Sequence, residues 1–163
     1  MPWATHAVHH SSNQFVLANA YRLGWTQQIS GAVLFMAPLV VIGFSPAMVL
    51  SALGANLLYQ FWIHTELIGR LGPLEWVLNT PQHHRVHHAR NDVYLDRNFG
   101  GVLIVFDHLF GTYARDLQGV RCRFGLAKPL NAYNPARIAL HEWLNLARDL
   151  HGAGSWRAVR RAT

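Results

Sequence analysis

Two short histidine patterns of the same spacing are the residues most able to do chemistry. The first is HAVHH, from His6 to His10, and the second is HRVHH, from His84 to His88. In a helix the positions i, i+3 and i+4 share one face, so each of these histidine boxes is predicted to direct three imidazoles toward one point. Imidazole binds iron, zinc, copper and nickel, whereas magnesium and calcium prefer oxygen ligands. The boxes therefore predict a transition-metal site.

A further histidine, His64, lies between the boxes in the segment WIHTE. Two boxes that share one spacing, together with this third group, are hard to explain as ordinary surface histidines. Six histidines divided over two metal ions leave about three ligands for each ion, so coordination positions stay open for oxygen or water, as catalysis requires. The predicted metal ligands are His6, His9, His10, His64, His84, His87 and His88.

Polar neighbours of the boxes are candidates for supporting roles. A metal-bound imidazole usually donates its other N–H to a carboxylate or a carbonyl group. Glu66 and Asp96 are the carboxylates predicted for this role, although each could equally be an ordinary solvated acid. His83 is predicted to lie beside the ligands or on the substrate side.

The elements that position the histidines are predicted to be helices around an apolar hairpin. Positions 23 to 63 contain no Asp, Glu, Lys or Arg. Residues 29–43 predict one helix, and a second is predicted from Pro46 to about Glu66, with Ser45 as its N-cap. A span needs about 20 apolar residues, so we expect an all-α integral membrane protein with a transmembrane or re-entrant hairpin. The alternative is a hairpin buried in a soluble protein.

The hairpin returns the chain to the side it left, so all three histidine groups are expected at one membrane surface. Residues 74–78 and 102–110 predict two short apolar helices, and 136–150 predict an amphipathic helix. Residues 1–150 are expected to form one domain and residues 151–163 a basic tail. The formal charge of +6 arises mostly from arginines outside the apolar hairpin. We read these arginines as the excess that marks the cytoplasmic side of membrane proteins, rather than as a nucleic-acid surface.

Four segments together resemble the fatty acid hydroxylase/sterol desaturase superfamily of membrane non-haem di-iron enzymes. They are HAVHHSS, LLYQFWIHTE, LGPLEWVLNTPQHHRVHHARN and DRNFGGVLIVFDHLFGTY. The resemblance covers residues 3 to 146. With the KPLNAYNP segment added, the motifs are most similar to the branch that acts on alkylglycerol ether lipids.

This resemblance implies a set of site residues and a reaction. His6, His9 and His10 match the second histidine box of the family, His84, His87 and His88 match the third, and His64 matches an additional histidine. Two iron ions would activate dioxygen for attack on a lipid C–H bond. Hydroxylation beside an ether oxygen would give a hemiacetal, which breaks down to an aldehyde and glycerol. The implied electron donor is a tetrahydropterin, or a cytochrome b5-like or ferredoxin-like protein.

One departure from the family pattern opens two alternatives. The family has an earlier HxxxH box, and no separate HxxxH occurs in this sequence. We therefore expect the carboxy-terminal part of a longer enzyme, and a non-catalytic remnant with an incomplete metal site is the main alternative. A zinc hydrolase is a weaker one, because no HExxH glutamate accompanies the predicted ligands. The sequence leaves open which lipid is the substrate, and whether the reaction is hydroxylation or desaturation.

Overall fold

The structure is a computed structural model that describes residues 2–27, 32–130 and 132–152. Its α-helices are α1 (Pro2–His10), α2 (Ala37–Val41), α3 (Pro46–Trp62), α4 (Pro81–His88), α5 (Val105–Phe110) and α6 (Pro135–Gly152). Short 3-10 helices lie at Leu17–Tyr21, Trp25–Gln27, Ala32–Phe35, Gly72–Trp76 and Asp92–Tyr94. Within the described ranges there is no β-strand, only two isolated bridges. The predicted all-α class is confirmed.

The hairpin forms where the apolar segments predict it, but its first arm is broken. α2 has five residues and follows a 3-10 turn, because Pro38 fits the first turn of a helix and not its interior. Gly43 has a φ of 110° and turns the chain toward α3. Ser45 caps α3 as predicted, accepting a hydrogen bond from the amide of Met48 at 3.2 Å. Residues 29–31 of the predicted first helix lie outside the described residues.

The hairpin presents its apolar side chains outward. α3 ends at Trp62, four residues before the predicted end, and Val49 is its one buried residue. Exposed apolar side chains on the two arms and their turn are Leu39, Val40, Val41, Ile42, Phe44, Met48, Leu50, Leu53, Leu57 and Leu58. Within the described residues the hairpin is therefore not the buried element of a globular core. None of the described helices is both long enough and apolar enough to cross a bilayer.

The first histidine box lies on α1, which packs against α6. Ala7 of α1 is fully buried, and Ile138 and Ala139 of α6 are almost fully buried. The indole of Trp143 also donates a hydrogen bond to the Thr26 hydroxyl at 3.1 Å. The predicted amphipathic helix is thus confirmed, and its apolar face positions the first box. Residues 153–163 of the predicted basic tail lie outside the described residues.

A loop clamp precedes and supports α4, which carries the second box. The amide of Asn79 donates to the carbonyl of Val102 at 2.7 Å, and the amide of Ile104 donates to the carbonyl of Val77 at 2.9 Å. Pro81 occupies the first turn of α4, where its missing N–H costs no hydrogen bond. Of the two short helices predicted around this clamp, the one expected at 74–78 is a 3-10 helix two residues earlier, at Gly72–Trp76, and the one expected at 102–110 is shorter, at Val105–Phe110.

Candidate metal centre

The seven predicted ligands come together in two groups of imidazoles. The four-histidine group is His9, His64, His84 and His88, and the three-histidine group is His6, His10 and His87. Within each group the ring nitrogens that could bind an ion lie within 4.8 Å of one another. All four members of the first group are buried, whereas His6 is exposed and His87 is half-buried.

The nitrogens within each group are close enough to share an ion. In the four-histidine group, the Nε2 atom of His64 lies 2.9 Å from Nε2 of His9 and 2.9 Å from Nε2 of His84, which lies 3.2 Å from Nε2 of His88. The corresponding Nε2 distances in the three-histidine group are 2.9 Å for His10–His6, 3.2 Å for His10–His87 and 3.3 Å for His6–His87. Metal–imidazole bonds of about 2.0–2.1 Å would separate neighbouring nitrogens by about 2.9 Å at right angles and about 3.3 Å at the tetrahedral angle. All three pairs of the three-histidine group and these three pairs of the four-histidine group have this spacing.

The two groups exchange residues between the boxes, so the prediction that each box directs its three imidazoles toward one point is wrong. The histidines at i and i+4 of α1, His6 and His10, stay together, while His9 at i+3 joins the residues from α4. The same exchange occurs on α4, where His84 and His88 stay together and His87 joins the α1 pair. Residues at i+3 and i+4 point about 100° apart around a helix axis, so facing helices can divide each box over two points.

In each group, one backbone carbonyl accepts a hydrogen bond from a histidine ring and so fixes the position of the ring proton. The ring Nδ1 of His64 donates to the carbonyl of Gln60 at 2.6 Å, and Nδ1 of His87 donates to the carbonyl of Arg97 at 3.0 Å. With the proton on Nδ1, the Nε2 atom of each neutral ring carries a lone pair. The single lone pair of His64 therefore faces two other nitrogens at hydrogen-bond distance. It cannot accept a well-directed hydrogen bond from both, so the donor set suits a shared cation.

Burial keeps these rings in the neutral form that binds metals. Burial, followed by repulsion from neighbouring histidines, lowers the pKa of His9 from 6.5 to about 3. Burial lowers the pKa of His64 to about 4 and holds the pKa values of His84 and His88 well below the ordinary range. At neutral pH each ring therefore offers a lone pair and not a positive charge. This satisfies the protonation requirement for a metal site.

Comparison with known proteins identifies the family of this chain. The family model described as fatty acid hydroxylase matches residues 1–112, which include both boxes and His64. The chain belongs to the fatty acid hydroxylase family. The sequence-based resemblance to this superfamily is therefore confirmed.

Curated relatives also agree with the predicted branch of the fatty acid hydroxylase family. Alkylglycerol monooxygenase of Homo sapiens is 43% identical over 144 residues, which are 88% of this chain and 32% of that protein. The protein of the same name from Danio rerio is 47% identical over 131 residues, covering 80% of this chain and 28% of that protein. An ornithine lipid hydroxylase of Rhizobium tropici is 30% identical over 112 residues, covering 68% and 34%. The chain spans about a third of the length of these relatives, and no solved structure matches it.

The three residues predicted for supporting roles in this family member lie outside both groups. His83 is buried on α4, where its Nδ1 faces the amide of Thr80 at 3.5 Å and its ring meets the edge of Tyr113. Glu66 and Asp96 are exposed. Within the described ranges, the side-chain partners of the seven histidines include neither carboxylate. For His64 and His87 a backbone carbonyl accepts the hydrogen bond instead. A supporting role for Glu66 or Asp96 therefore stays a prediction.

Sequence reasoning missed the buried residues that pack against the histidines or stabilise the loops beside them. Phe15 is 2% exposed and stacks on His64, with ring centroids 5.6 Å apart. The buried carboxylate of Asp107 accepts hydrogen bonds from the amides of Phe99 and Gly100, each at 2.7 Å, and from the hydroxyl of Thr112. An acid within the apolar run VLIVFDHLF was the available signal for Asp107. Backbone carbonyls offer no such signal, because every residue has one.

The buried amide of Asn98 ties the second box to the loops around it. Its nitrogen donates to the carbonyls of His83 and Ala114, at 3.2 and 2.9 Å, and its oxygen accepts from the amide of Ala114 at 2.8 Å. Asn98 has a φ of 55°, a conformation that Asn adopts more readily than most residues. The Asn-Phe-Gly-Gly turn thus has a supporting function.

Proposed function

We propose that this chain forms the metal-binding part of a non-haem di-iron oxygenase that hydroxylates a C–H bond of a lipid with dioxygen. The observation that carries the proposal is the gathering of seven neutral imidazoles, from three separate segments, into two groups of suitable spacing. One iron ion would be held by His9, His64, His84 and His88, and the other by His6, His10 and His87. Iron, when bound there, would supply the activation of dioxygen.

The surroundings of the three-histidine group support a lipid as the substrate. A cavity of about 250 Å³ is lined by His10 and His87 of that group and by His88. Its other walls include the apolar side chains of Trp3, Leu95, Phe99 and Ala127, and the charged residues Arg90, Asp96 and Arg97 also line it. The apolar part of these walls can bind a hydrocarbon chain by burying its surface. A substrate in this cavity would lie against the imidazoles of the three-histidine group.

The reaction places further demands on substrate and donor. One atom of dioxygen enters the C–H bond and the other leaves as water, with two electrons taken from a reduced donor and two protons taken from that donor or from solvent. A tetrahydropterin and a small electron-transfer protein, the two donor classes that the resemblance implies, both meet this requirement. An alkylglycerol is the proposed substrate because two of the relatives carry the name alkylglycerol monooxygenase. Hydroxylation of its ether-bearing carbon gives a hemiacetal that breaks down to an aldehyde and glycerol.

The exposed apolar hairpin supports membrane attachment. α2 and α3 carry no charged residue and direct most of their apolar side chains outward. An exposed apolar surface of this extent is stabilised when lipid covers it. The excess of arginines outside the hairpin supports placing the histidine groups on the cytoplasmic side of a multi-pass membrane protein.

Metal analysis and product analysis test this function together. Purified chain loaded anaerobically with ferrous iron is expected to retain about two ions after desalting, one for each ligand group. His87→Ala is expected to lose the ion of the three-histidine group, whereas His151→Ala, at the exposed end of α6, keeps both. Cells expressing the longest reading frame that includes this chain should convert an added alkylglycerol to aldehyde and glycerol only in the presence of oxygen.

The opposite results point to defined alternatives. A chain that retains no iron and yields no product, while folding normally, would support the non-catalytic remnant. Retention of zinc but not iron, with no oxygen-dependent product, would contradict an oxygenase.

A further inference from the structure

A second cavity lies beside the first turn of α4, separate from the histidine groups. It has a volume of about 680 Å³. Its polar lining comes from Arg70, Glu75, Gln82, His83, Tyr113 and Arg115, and none of the seven predicted ligands lines it. Its size is that of a small-molecule site, which typically measures about 300–1,000 Å³.

The charges around this cavity favour an anion. Arg70 and Arg115 line it, and among the described residues neither guanidinium has a hydrogen-bond or ion-pair partner. The one acidic residue in the lining, Glu75, already accepts a hydrogen bond from the amide of Leu71 at 2.8 Å. Guanidinium groups bind phosphate and carboxylate oxygens with two parallel hydrogen bonds. Two such groups without partners therefore point to a multiply charged oxyanion.

A buried amide in the same cavity requires a second kind of contact. Gln82 is 4% exposed, and its Oε1 atom is buried without a hydrogen-bond partner. A buried acceptor without a donor destabilises the folded state. A ligand hydroxyl that donates to this oxygen would remove the cost. The cavity therefore matches a ligand with both an anionic group and a hydroxyl group.

Aromatic rings form another wall of the cavity. The ring of Tyr113 stacks on His108, with centroids 3.9 Å apart, and meets the edge of His83 at 5.6 Å. Trp76 lines the same space and is 78% exposed. These faces can pack against the carbon atoms that connect the two polar groups of a ligand. A bare phosphate ion would leave most of the cavity empty.

We propose that this cavity binds the phosphate ester of a small polyol, with the phosphate between Arg70 and Arg115 and a hydroxyl donating to Oε1 of Gln82. The same chemistry is offered by a free polyol phosphate and by the headgroup of a phospholipid. Because none of the predicted metal ligands lines the cavity, binding there is independent of metal loading and of oxygenase activity.

Calorimetric titration of the full chain with soluble probes tests the two contacts separately. Glycerol 3-phosphate is expected to bind at least about tenfold more tightly than inorganic phosphate, since it adds the Gln82 contact. Glycerol alone should not bind measurably. Arg115→Gln and Arg70→Gln should each weaken glycerol 3-phosphate at least about tenfold. Gln82→Leu should bring glycerol 3-phosphate down to the affinity of inorganic phosphate.

Arg137→Gln is the matched control, because Arg137 is exposed on α6 and does not line the cavity. Far-UV circular dichroism should show that each variant is folded, and the two arginine variants serve as independent tests of the same contact. Absence of binding by the unaltered chain to both the soluble ester and the vesicles described below overturns the proposal. If Arg137→Gln weakens the binding of glycerol 3-phosphate as much as the Arg70 and Arg115 substitutions do, the proposal is also overturned, because that result would indicate a general charge effect.

Vesicle sedimentation distinguishes the two sources of the ligand. Phosphatidylcholine vesicles containing phosphatidylglycerol present a phosphate ester with free hydroxyl groups on a lipid. Recruitment that falls with both Arg115→Gln and Gln82→Leu, and not with Arg137→Gln, identifies a lipid headgroup as the ligand. Binding of the soluble ester with vesicle recruitment unaffected by these substitutions identifies a free polyol phosphate. Vesicle recruitment unaffected by them, without soluble binding, overturns the proposal.

Discussion

The two histidine groups use the same residue type and the same helices, yet their surroundings differ. All four rings of the four-histidine group are buried, with Phe15 packed against His64 and His88, and only His88 among them lines the 250 Å³ cavity. The three-histidine group includes an exposed ring, and two of its members line a cavity with apolar and charged walls. Both have a ring nitrogen fixed by a backbone carbonyl. Enclosure, and not ligand type, is therefore the main difference between the groups.

This difference suggests a division of labour. A buried group with four imidazoles is suited to hold an ion firmly, whereas a group of three beside a cavity leaves room for oxygen or substrate. His64, from the end of α3, is the residue that makes the groups unequal. Substitutions in or beside each group, and the rates at which iron leaves them, test this difference.

Replacing one ligand in each group should give the largest contrast. His84→Gln and His87→Gln are each expected to lower bound iron from about two ions to about one. His84→Gln should lower the melting temperature more, because it leaves a buried group incomplete, whereas the site of His87 is partly open to solvent. Equal losses of melting temperature would contradict the proposed difference. Metal analysis and calorimetry make the measurement.

Removing the charge of Asp107 should weaken metal binding by the three-histidine group more than metal binding by the four-histidine group. Asp107 holds the loop whose neighbouring carbonyl, that of Arg97, fixes the ring of His87. Asp107→Asn is expected to lower the free energy of unfolding by about 2–3 kcal/mol, since it weakens buried hydrogen bonds to a charged group. Urea denaturation measures this, with Asp92→Asn at an exposed acid as the control. Metal loss mainly from the four-histidine group would contradict the assignment of this loop to the three-histidine group.

Chelation kinetics should separate the groups in the unaltered chain. A coloured chelator is expected to remove iron in two phases of similar amplitude, with rates that differ about tenfold, which is about 1.4 kcal/mol in barrier height. The fast phase belongs to the three-histidine group, because its cavity admits the chelator. His87→Gln should therefore abolish the fast phase and leave the slow one. A single phase in the unaltered chain would show that the groups are equally accessible.

Replacing one phenylalanine beside each group should give the smallest difference in the free energy of unfolding. Phe15 is 2% exposed beside the four-histidine group, and Phe99 is 58% exposed beside the three-histidine group. Phe15→Leu is expected to lower the free energy of unfolding by about 1 kcal/mol, because the smaller side chain packs imperfectly. Phe99→Leu should change it by less than about 0.5 kcal/mol. Urea denaturation measures both, and a larger effect for Phe99→Leu would contradict the difference in enclosure.

Much of the local structure follows from the sequence. Ser45 followed by Pro46 predicts the start of α3, and the HxxHH spacing predicts that each box is helical. These are local signals, because a cap or a helical face depends on residues within one or two turns. The gathering of His64 with the boxes was also expected, since a hairpin returns the chain to the side it left. The same reasoning overestimated the first arm of the hairpin, where Pro38 interrupts regular helix.

The sequence by itself determined which residues are candidate ligands and that they lie on helices, because residue type and helical period are properties of the chain. Only the tertiary structure decided how those ligands divide. The exchange of His9 and His87 between the boxes depends on how α1 and α4 face each other, which loops and α6 determine over long separations along the chain. The carbonyls of Gln60 and Arg97 acquire their function in the same way. A backbone oxygen has no identity in the sequence, and folding alone places it beside an imidazole.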